Sequence, residues 1–255
     1  MSIIDIAHLS HQFSNGLIGL TDISLSIDSG EFVVLAGLNG SGKTTLIKHL
    51  NGLLVPSSGM VSIDGLPVER DVLRARKMVG MVFQDADSQI VGETVYADVA
   101  FGPENLGLDR DEIDRRVISA LDKVGLQHLM DHRPHQLSGG EKRRLAIAGV
   151  LAMKPCILVF DEPFSNLDYT GTVQILSHII DLHQAGNTIL VSSHDLDWFM
   201  EPATRLILMQ DGRIISDGKP EELLCQAGEL GIIRPLVPSA ERFSSPHSFN
   251  STNTD

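Results

Sequence analysis

The chain has 255 residues, with 20 Lys and Arg against 33 Asp and Glu, and a formal net charge of −13. That charge argues against a nucleic-acid binder that depends on a positive field over its whole surface. There are only two cysteines, which argues against a disulfide scaffold, and neither has a Cys or His neighbour at metal-ligand spacing. No apolar run reaches the ~18 residues of a membrane span, and the N-terminus lacks a signal-peptide pattern, so we expect a cytosolic chain.

Apolar runs and turn signals predict strands that alternate with helices, interrupted by one long helical region. Short strands are predicted within residues 3–8, 22–36, 59–65, 78–83, 156–160, 188–193 and 205–209. Helices are predicted from 43 to 50, near 171–184 and 219–227, and through 94–153 with breaks near Pro103 and from Pro134 to Gly140. This alternation predicts a largely parallel sheet with a helical insertion. The turn signal at 210–212 predicts a hairpin, and the Ser- and Pro-containing residues 236–255 predict a loose polar tail.

A glycine-rich loop follows the first long apolar run. Residues 37–44, GLNGSGKT, match the pattern G-x-x-x-x-G-K-[ST] at every defined position. Glycines let main-chain N–H groups approach a phosphate, and the start of the following helix directs its positive dipole at the same anion. The pattern predicts that Lys43 reaches the β- and γ-phosphates and that the Thr44 hydroxyl binds Mg²⁺. The alternative is a glycine-rich turn followed by an exposed lysine.

An apolar strand ends in two acids at Asp161 and Glu162. In a parallel sheet the carboxyl ends of the strands face the ligand crevice. Asp161 is then placed to hold Mg²⁺, and Glu162 is placed to orient or deprotonate an attacking water. Alone, the pair could equally be an acidic turn after a core strand; the phosphate loop upstream favours the catalytic interpretation.

Residues 137–141, LSGGE, predict the N-terminus of a second helix that could bind an anion. Ser138 is a plausible N-cap, and Gly139 and Gly140 leave room for an anion at the start of the helix. One subunit needs only one phosphate cradle per nucleotide, so this second start makes sense if it completes the site of another subunit. The alternative is an ordinary capped helix.

With these motifs in this order, residues 3 to 235 resemble the ATP-binding subunits of ABC transporters. The resemblance implies an α/β P-loop NTPase fold over residues 1–235, with a mixed-sheet core, an antiparallel β subdomain and a helical subdomain at about 85–153. It implies ATP and Mg²⁺ as cofactors. It also implies that ATP contacts are made by Gly37, Asn39, Gly40, Ser41, Gly42, Lys43, Thr44 and Thr45, and by Ser138, Gly139 and Gly140.

Four further positions match family motifs. Gln84 matches the Q-loop glutamine, which is expected to bind Mg²⁺ and to sense the membrane partner, and His194 matches the switch histidine near the γ-phosphate. Asp168 matches the D-loop aspartate, although Asn166 and Tyr169 stand where the family more often has Gly and Pro. Phe13 falls where the family has an aromatic that stacks on adenine, and it could also be a core residue.

Residues 82–105 look like the energy-coupling-factor importers, which include cobalt, nickel and biotin uptake ATPases. The resemblance implies an ATPase at the cytoplasmic face of the membrane, bound to integral membrane subunits and to a second ATPase subunit, with no nucleic-acid partner. Two rivals are an ABC ATPase acting in translation or DNA repair and a P-loop kinase for a small molecule. The first usually carries two ATPase modules or a long coiled coil, and the second leaves the LSGGE and Gln84 segments unexplained.

Overall fold

A computed structural model describes residues 2–165 and 167–232 of the chain. The strands are β1 (Ser2–Gln12), β2 (Ile18–Asp28), β3 (Phe32–Ala36), β4 (Ser58–Ile63), β5 (Leu66–Pro67), β6 (Val79–Val82), β7 (Ile157–Asp161), β8 (Thr188–Ser193), β9 (Arg205–Gln210) and β10 (Arg213–Gly218). The helices are α1 (Lys43–Leu50), α2 (Val72–Met78), α3 (Val95–Asn105), α4 (Arg110–Lys123), α5 (Gly139–Ala152), α6 (Tyr169–Gln184) and α7 (Pro220–Glu229). The predicted tail at 236–255 lies outside the described residues.

The strands form two sheets. Four of them make an antiparallel sheet in the order β2-β1-β4-β5, in which inward residues such as Ile4, Ile6 and Leu9 are buried. The other six make a sheet in the order β10-β9-β3-β8-β7-β6. In that sheet only the β9–β10 hairpin is antiparallel, so the predicted mixed sheet and the predicted hairpin are both confirmed.

The central parallel strands are aligned at their carboxyl ends. Every residue of β3, β7 and β8 is buried, as expected for strands covered on both faces. Their register pairs Ala36 of β3 with Ser193 of β8, and Ser192 of β8 with Asp161 of β7. The loops that follow these three strands therefore leave the sheet side by side, at the edge where ligands bind in open α/β sheets.

Helices α3, α4 and α5 pack together between β6 and β7 in the chain. The helix break predicted near Pro103 is confirmed, but it lies slightly further along the chain, because α3 continues through Pro103 and ends at Asn105. Proline removes only one main-chain hydrogen bond, and Pro103 lies buried in the last turn of the helix. The chain leaves the helix at residues 106–109.

In the described part of the chain, no helix is both long and apolar enough to cross a membrane.

Candidate functional site

The phosphate loop connects β3 directly to α1 and has the backbone that its glycines require. Gly42, which precedes α1, has a φ of 104°, in the left-handed region that disfavours side chains. A Cβ at Gly37 would lie 2.4 Å from Ser41 Oγ and 2.5 Å from the Met209 carbonyl oxygen. The loop is tied to its neighbours by the Gly37 N–H, which donates to the Ser193 carbonyl at 3.3 Å. The predicted glycine-rich loop is thus present at the carboxyl end of β3, and its binding of phosphate stays a prediction.

Lys43 lies at the centre of the site and is only 5% exposed. Its Nζ donates to the Gly37 carbonyl at 2.6 Å and to the Leu38 carbonyl at 3.3 Å, and it lies 3.6 Å from Glu162 Oε1. Burial lowers the pKa of Lys43, while Glu162 and then Asp161 act in the opposite direction. The ammonium group is therefore folded back onto its own loop, among acceptors that a phosphate oxygen could replace.

Glu162 joins Lys43 to His194. Its Oε2 lies 2.9 Å from His194 Nδ1, and its Oε1, which faces Lys43, is buried without a hydrogen-bond partner. The Glu162 backbone has a φ of 47°, a conformation that costs energy for a side-chain-bearing residue and is found most often at functional sites. Its N–H donates to Ser192 O at 3.1 Å and Oγ at 3.2 Å, which fixes this turn on the neighbouring strand.

Asp161 is bound by two hydroxyl groups. Thr44 Oγ1 donates to it at 2.9 Å, and Ser192 Oγ donates at 2.5 Å. Asp161 is 3% exposed, so its carboxylate is held between the first turn of α1 and the end of β8. Hydroxyl and carboxylate oxygens are the ligands that Mg²⁺ prefers, and Mg²⁺ needs only one or two of them from the protein. The donor set at Thr44 and Asp161 therefore fits the predicted metal.

A cavity of about 430 Å³ opens beside the phosphate loop. Its lining includes the predicted residues Phe13, Asn39, Gly40, Ser41, Gly42, Lys43, Thr44, Thr45, Gln84 and Glu162. Phe13 is half-buried at the mouth, with its ring edge-to-face against His11 at a centroid distance of 4.7 Å. A volume of this size is within the range of small-ligand sites, and its polar end contains the phosphate loop.

Gln84 extends into the same cavity from the end of β6. Its Nε2 lies 3.4 Å from Ser165 Oγ, a long contact with the loop that follows Glu162. The side chain is otherwise exposed toward the space next to Lys43 and Thr44. Gln84 is thus positioned between the phosphate loop and the segment leading to Asp168.

The second predicted helix start is formed but is not part of this cavity. Ser138 caps α5 in a capping box: its N–H and Oγ donate to Glu141 Oε2 at 2.7 Å each, and the Glu141 N–H donates to Ser138 Oγ at 3.3 Å. These bonds lower the pKa of Glu141. A Cβ added at Gly139 or Gly140 would meet no atom within 4 Å. The start of α5 is therefore open to an external ligand.

Asp168 is also outside the cavity, at the start of α6. Its carboxylate accepts from the Gly171 N–H at 2.7 Å as an N-cap. The capping role explains an acidic residue at this position without a nucleotide. A nucleotide contact by Asp168 stays a prediction.

Several cavity residues were not predicted from the sequence. Leu17, Ile18 and Gly19 come from the β1–β2 turn and the start of β2, and Asp211 and Gly212 come from the turn of the β9–β10 hairpin. The Gly212 N–H donates to the Ser41 carbonyl at 3.0 Å, which brings the hairpin turn to the phosphate loop. The turn was predicted, but its nearness to the loop depends on the strand order, which the local pattern does not reveal. Ser192 was missed too, although a polar residue at the end of a buried strand was an available signal.

Comparison with known proteins agrees with this geometry. The family model described as ABC transporter matches residues 20–165, more than half of the chain. The chain belongs to the ABC transporter family and is an ATPase of that family.

Individual relatives identify the subgroup of the ABC transporter family that the chain resembles. The chain is 43% identical to the energy-coupling factor transporter ATP-binding protein EcfA of Methanocaldococcus jannaschii, covering 88% of this chain and 81% of the relative. It is 47% identical to the cobalt import ATP-binding protein CbiO of Syntrophus aciditrophicus, covering 81% and 74%. The solved structure of cbiO1 from Clostridium perfringens, part of the ABC transporter complex cbiONQ, superposes with a TM-score of 0.80 at 38% identity, covering 88% and 91%. The resemblance to the energy-coupling-factor group is confirmed.

Proposed function

We propose that the chain hydrolyses ATP in the cavity beside the phosphate loop and thereby powers an importer of the energy-coupling-factor type. The observation that carries the proposal is the contact series from Lys43 through Glu162 to His194, next to the Thr44–Asp161 pair. A lysine, a carboxylate, an imidazole and a metal-binding pair at one edge of the sheet are the groups that phosphoryl transfer requires.

The phosphate chain of ATP would lie along the N–H groups of residues 37–45, with adenine against Phe13. Lys43 then exchanges its carbonyl acceptors for β- and γ-phosphate oxygens. Thr44 and Asp161 would hold Mg²⁺, helped by Gln84; the ion supplies positive charge to the phosphates. Positioning and charge stabilisation account for most of the rate enhancement in this chemistry.

Glu162 is the proposed base or water-orienting group. Its Oε1 is buried, has no hydrogen-bond partner and lies 3.6 Å from Lys43 Nζ. Once Lys43 turns to the phosphates, this oxygen could accept a proton or a hydrogen bond from water. His194 holds the other carboxylate oxygen, and with its second ring nitrogen it could contact the γ-phosphate. Both residues are therefore assigned to the hydrolytic step rather than to binding alone.

A second subunit would complete each site. The start of α5 has open space around Gly139 and Gly140, but it does not line the cavity of its own chain. In a head-to-tail pair, Ser138, Gly139 and Gly140 of one subunit would meet the γ-phosphate held by the other, with Asp168 at the junction. The second subunit is a copy of this chain or a related ATPase.

The membrane subunits would dock in a groove on the other side of Gln84. This docking groove, about 410 Å³, is lined by residues that include Leu53, Phe83, Gln89, Val91, Phe101 and Met153. Val91 and Phe101 are 62% and 53% exposed, which leaves apolar surface for a partner. One side of the groove is held to α3, because the buried Asp98 accepts from the Val91 and Gly92 N–H groups at 2.7 and 2.9 Å.

The cargo proposed from the relatives is a transition metal ion, cobalt or nickel, or a vitamin such as biotin. Contacts with the cargo belong to the membrane subunits, which would hold this chain at the cytoplasmic face of the membrane. An ATPase acting in translation or DNA repair would need no such subunits.

Purification with candidate integral membrane subunits tests the proposal. Co-expression of the tagged chain with the membrane proteins encoded beside it should give a stoichiometric complex in detergent. ATP hydrolysis by that complex should depend on both Mg²⁺ and the intact chain. Hydrolysis without any association with these membrane proteins would contradict the importer function and leave the ATPase assignment standing.

A further inference from the structure

Arg143, on the second turn of α5, is a buried cation that the nucleotide site does not explain. It is only 4% exposed, and its guanidinium group contacts the main chain of Phe83 and Gln84. Desolvation lowers the pKa of Arg143, and Asp85 acts in the opposite direction. Removing a charged group from water is costly unless hydrogen bonds compensate for it.

The compensation comes from three main-chain carbonyl groups on two separate loops. Nη1 donates to the Phe83 carbonyl at 2.7 Å, and Nη2 donates to the Gln84 carbonyl at 2.6 Å and to the Ser165 carbonyl at 3.3 Å. The first two acceptors follow β6, and the third follows β7. Arg143 therefore connects three segments: α5, the loop that carries Gln84 and the loop between Glu162 and Asp168.

These bonds resist separation of the three segments. A hydrogen bond from a charged donor is stronger than one between neutral groups, and breaking it here would leave a buried charge unsatisfied. The neighbouring Lys142–Asp87 pair, at 2.6 Å, also links α5 to this region, but Asp87 is largely exposed and such pairs contribute little. Arg143 is thus the stronger of the two links.

We propose that Arg143 is a positioning residue that couples the start of α5 to the side chain of Gln84 and to the loop before Asp168. When a second subunit or a membrane partner shifts α5, the two loops shift with it. Gln84 would then enter or leave the nucleotide cavity together with movements of Ser138. This inference rests on the proposed roles of Gln84 and Ser138.

Arg143→Lys is the main test, because it keeps a positive charge and a long side chain but cannot bond three carbonyls with a fixed planar fork. Arg143→Met removes the charge as well. Arg116→Lys is the matched control: Arg116 Nη1 donates to the Ala152 and Met153 carbonyls at the far end of the same helix, at 3.3 and 3.4 Å. It removes two longer arginine–carbonyl bonds away from the site and also disturbs the Arg116–Glu112 ion pair, so it tests whether any loss of arginine contacts at α5 lowers turnover.

Steady-state ATP hydrolysis by the assembled ATPase provides the first readout. We expect Arg143→Lys to lower kcat about tenfold or more and to change KM for ATP by less than about threefold, since Arg143 does not line the cavity. Arg116→Lys should keep the wild-type kcat. The proposal would be overturned by an unchanged kcat in Arg143→Lys, with or without a raised KM. An equal loss of kcat in Arg143→Lys and Arg116→Lys would also overturn it.

Amide hydrogen exchange provides a readout that does not depend on hydrolysis. Arg143→Lys and Arg143→Met should exchange faster at residues 83–85 and 164–165, with α1 unchanged, while Arg116→Lys should leave both loops at the wild-type rate. Unchanged exchange at both loops would overturn the link. If the wild-type protein proved inactive, faster exchange confined to these loops would still support the link, while the hydrolytic assignment failed.

Discussion

His194 Nδ1 lies 2.9 Å from Glu162 Oε2, so the imidazole at the end of β8 holds the carboxylate that follows β7. The other oxygen of that carboxylate faces Lys43 at 3.6 Å. Glu162 is thereby fixed between Lys43, which is proposed to bind the phosphates, and His194, which is proposed to contact the γ-phosphate. Its charge, rather than its shape, is the property that the hydrolytic step would use.

Replacing Glu162 by Gln should separate binding from turnover. Glu162→Gln keeps the size and an acceptor for His194 but removes the negative charge and the basic oxygen. We expect ATP binding to persist and ATP turnover to fall by ~10² or more, the usual effect of losing a positioned base. The measurement is steady-state phosphate release together with equilibrium nucleotide binding.

Glu112→Gln is a suitable control for this experiment. Glu112 is ion-paired with Arg116 on α4, so its replacement also removes a paired carboxylate, but one away from the cavity. It should leave turnover near the wild-type value. Near-wild-type hydrolysis by Glu162→Gln would show that another group orients the water.

Mixed dimers test whether each ATP site is shared between two chains. Lys43→Ala removes the phosphate cation, and Gly139→Asp places a side chain and a repelling charge at the start of α5. In a homodimer either change alone spoils both sites. In a mixed dimer both substitutions fall in the same site, and the other site keeps an intact Lys43 facing an intact Gly139. Tight ATP binding should therefore return at one site per dimer.

Nucleotide occlusion should be measured on purified mixed dimers that carry Glu162→Gln in both chains, with differential tags to verify mixing. Occlusion is measured without turnover, so the result does not depend on the two sites acting together. Each parent homodimer serves as the control. Mixed dimers that occlude no more ATP than the parents would count against a shared site between copies of this chain.

The docking groove can be tested through Phe101. This side chain is 53% exposed, so Phe101→Asp should cost little stability while placing a charge on an apolar contact surface. We expect binding of the membrane subunits to weaken about tenfold or more, with ATP affinity changed less than about twofold. Ile118→Asp is the matched control, because Ile118 is 42% exposed on α4, outside the groove. Loss of ATP affinity with retained partner binding would refute the assignment.

Much of the site could be predicted from the sequence because its residues lie at the ends of buried strands that are neighbours in one sheet. Lys43 and Thr44 begin the helix after β3, Asp161 ends β7 and is followed by Glu162, and His194 follows β8. Strands of one parallel sheet end at a common edge, so local motifs were enough to predict that these side chains converge.

The remaining features depend on contacts between segments distant in sequence. Gly212 reaches the phosphate loop because β9 pairs with β3, a strand order that no local pattern encodes. The contacts of Arg143 with two loops depend likewise on how α5 packs. The end of α3 shows the same limit on a smaller scale: the break predicted near Pro103 falls after Asn105, because the buried Pro103 still fits in the last turn.

Acid should destabilise the protein through His49. This residue of α1 is 1% exposed; its Nδ1 bonds the Thr45 carbonyl at 2.7 Å, and its Nε2 lies 3.2 Å from His11 Nδ1. Desolvation, chiefly, lowers the pKa of His49 from 6.5. The unfolded state therefore binds the proton more readily, so stability is complete above about pH 6.5 and falls as the pH decreases toward the folded pKa.

Thermal unfolding at about pH 7.5 and about pH 5.5 measures this effect. His49→Gln should show a smaller difference in Tm between the two pH values than the wild-type protein does. His135→Gln, which changes an exposed histidine, should keep the wild-type difference. Equal differences in the wild type and His49→Gln would mean that His49 does not contribute to the acid sensitivity.

ATP-driven uptake tests the central claim most directly. The chain, its second ATPase subunit and the membrane subunits would be reconstituted in lipid vesicles, and uptake of cobalt, nickel or biotin would be followed with and without Mg²⁺-ATP. We predict uptake of one of these solutes that requires ATP and is abolished by Glu162→Gln in this chain. Uptake that survives Glu162→Gln, or ATP hydrolysis that drives no uptake of any of the three solutes, would contradict the account.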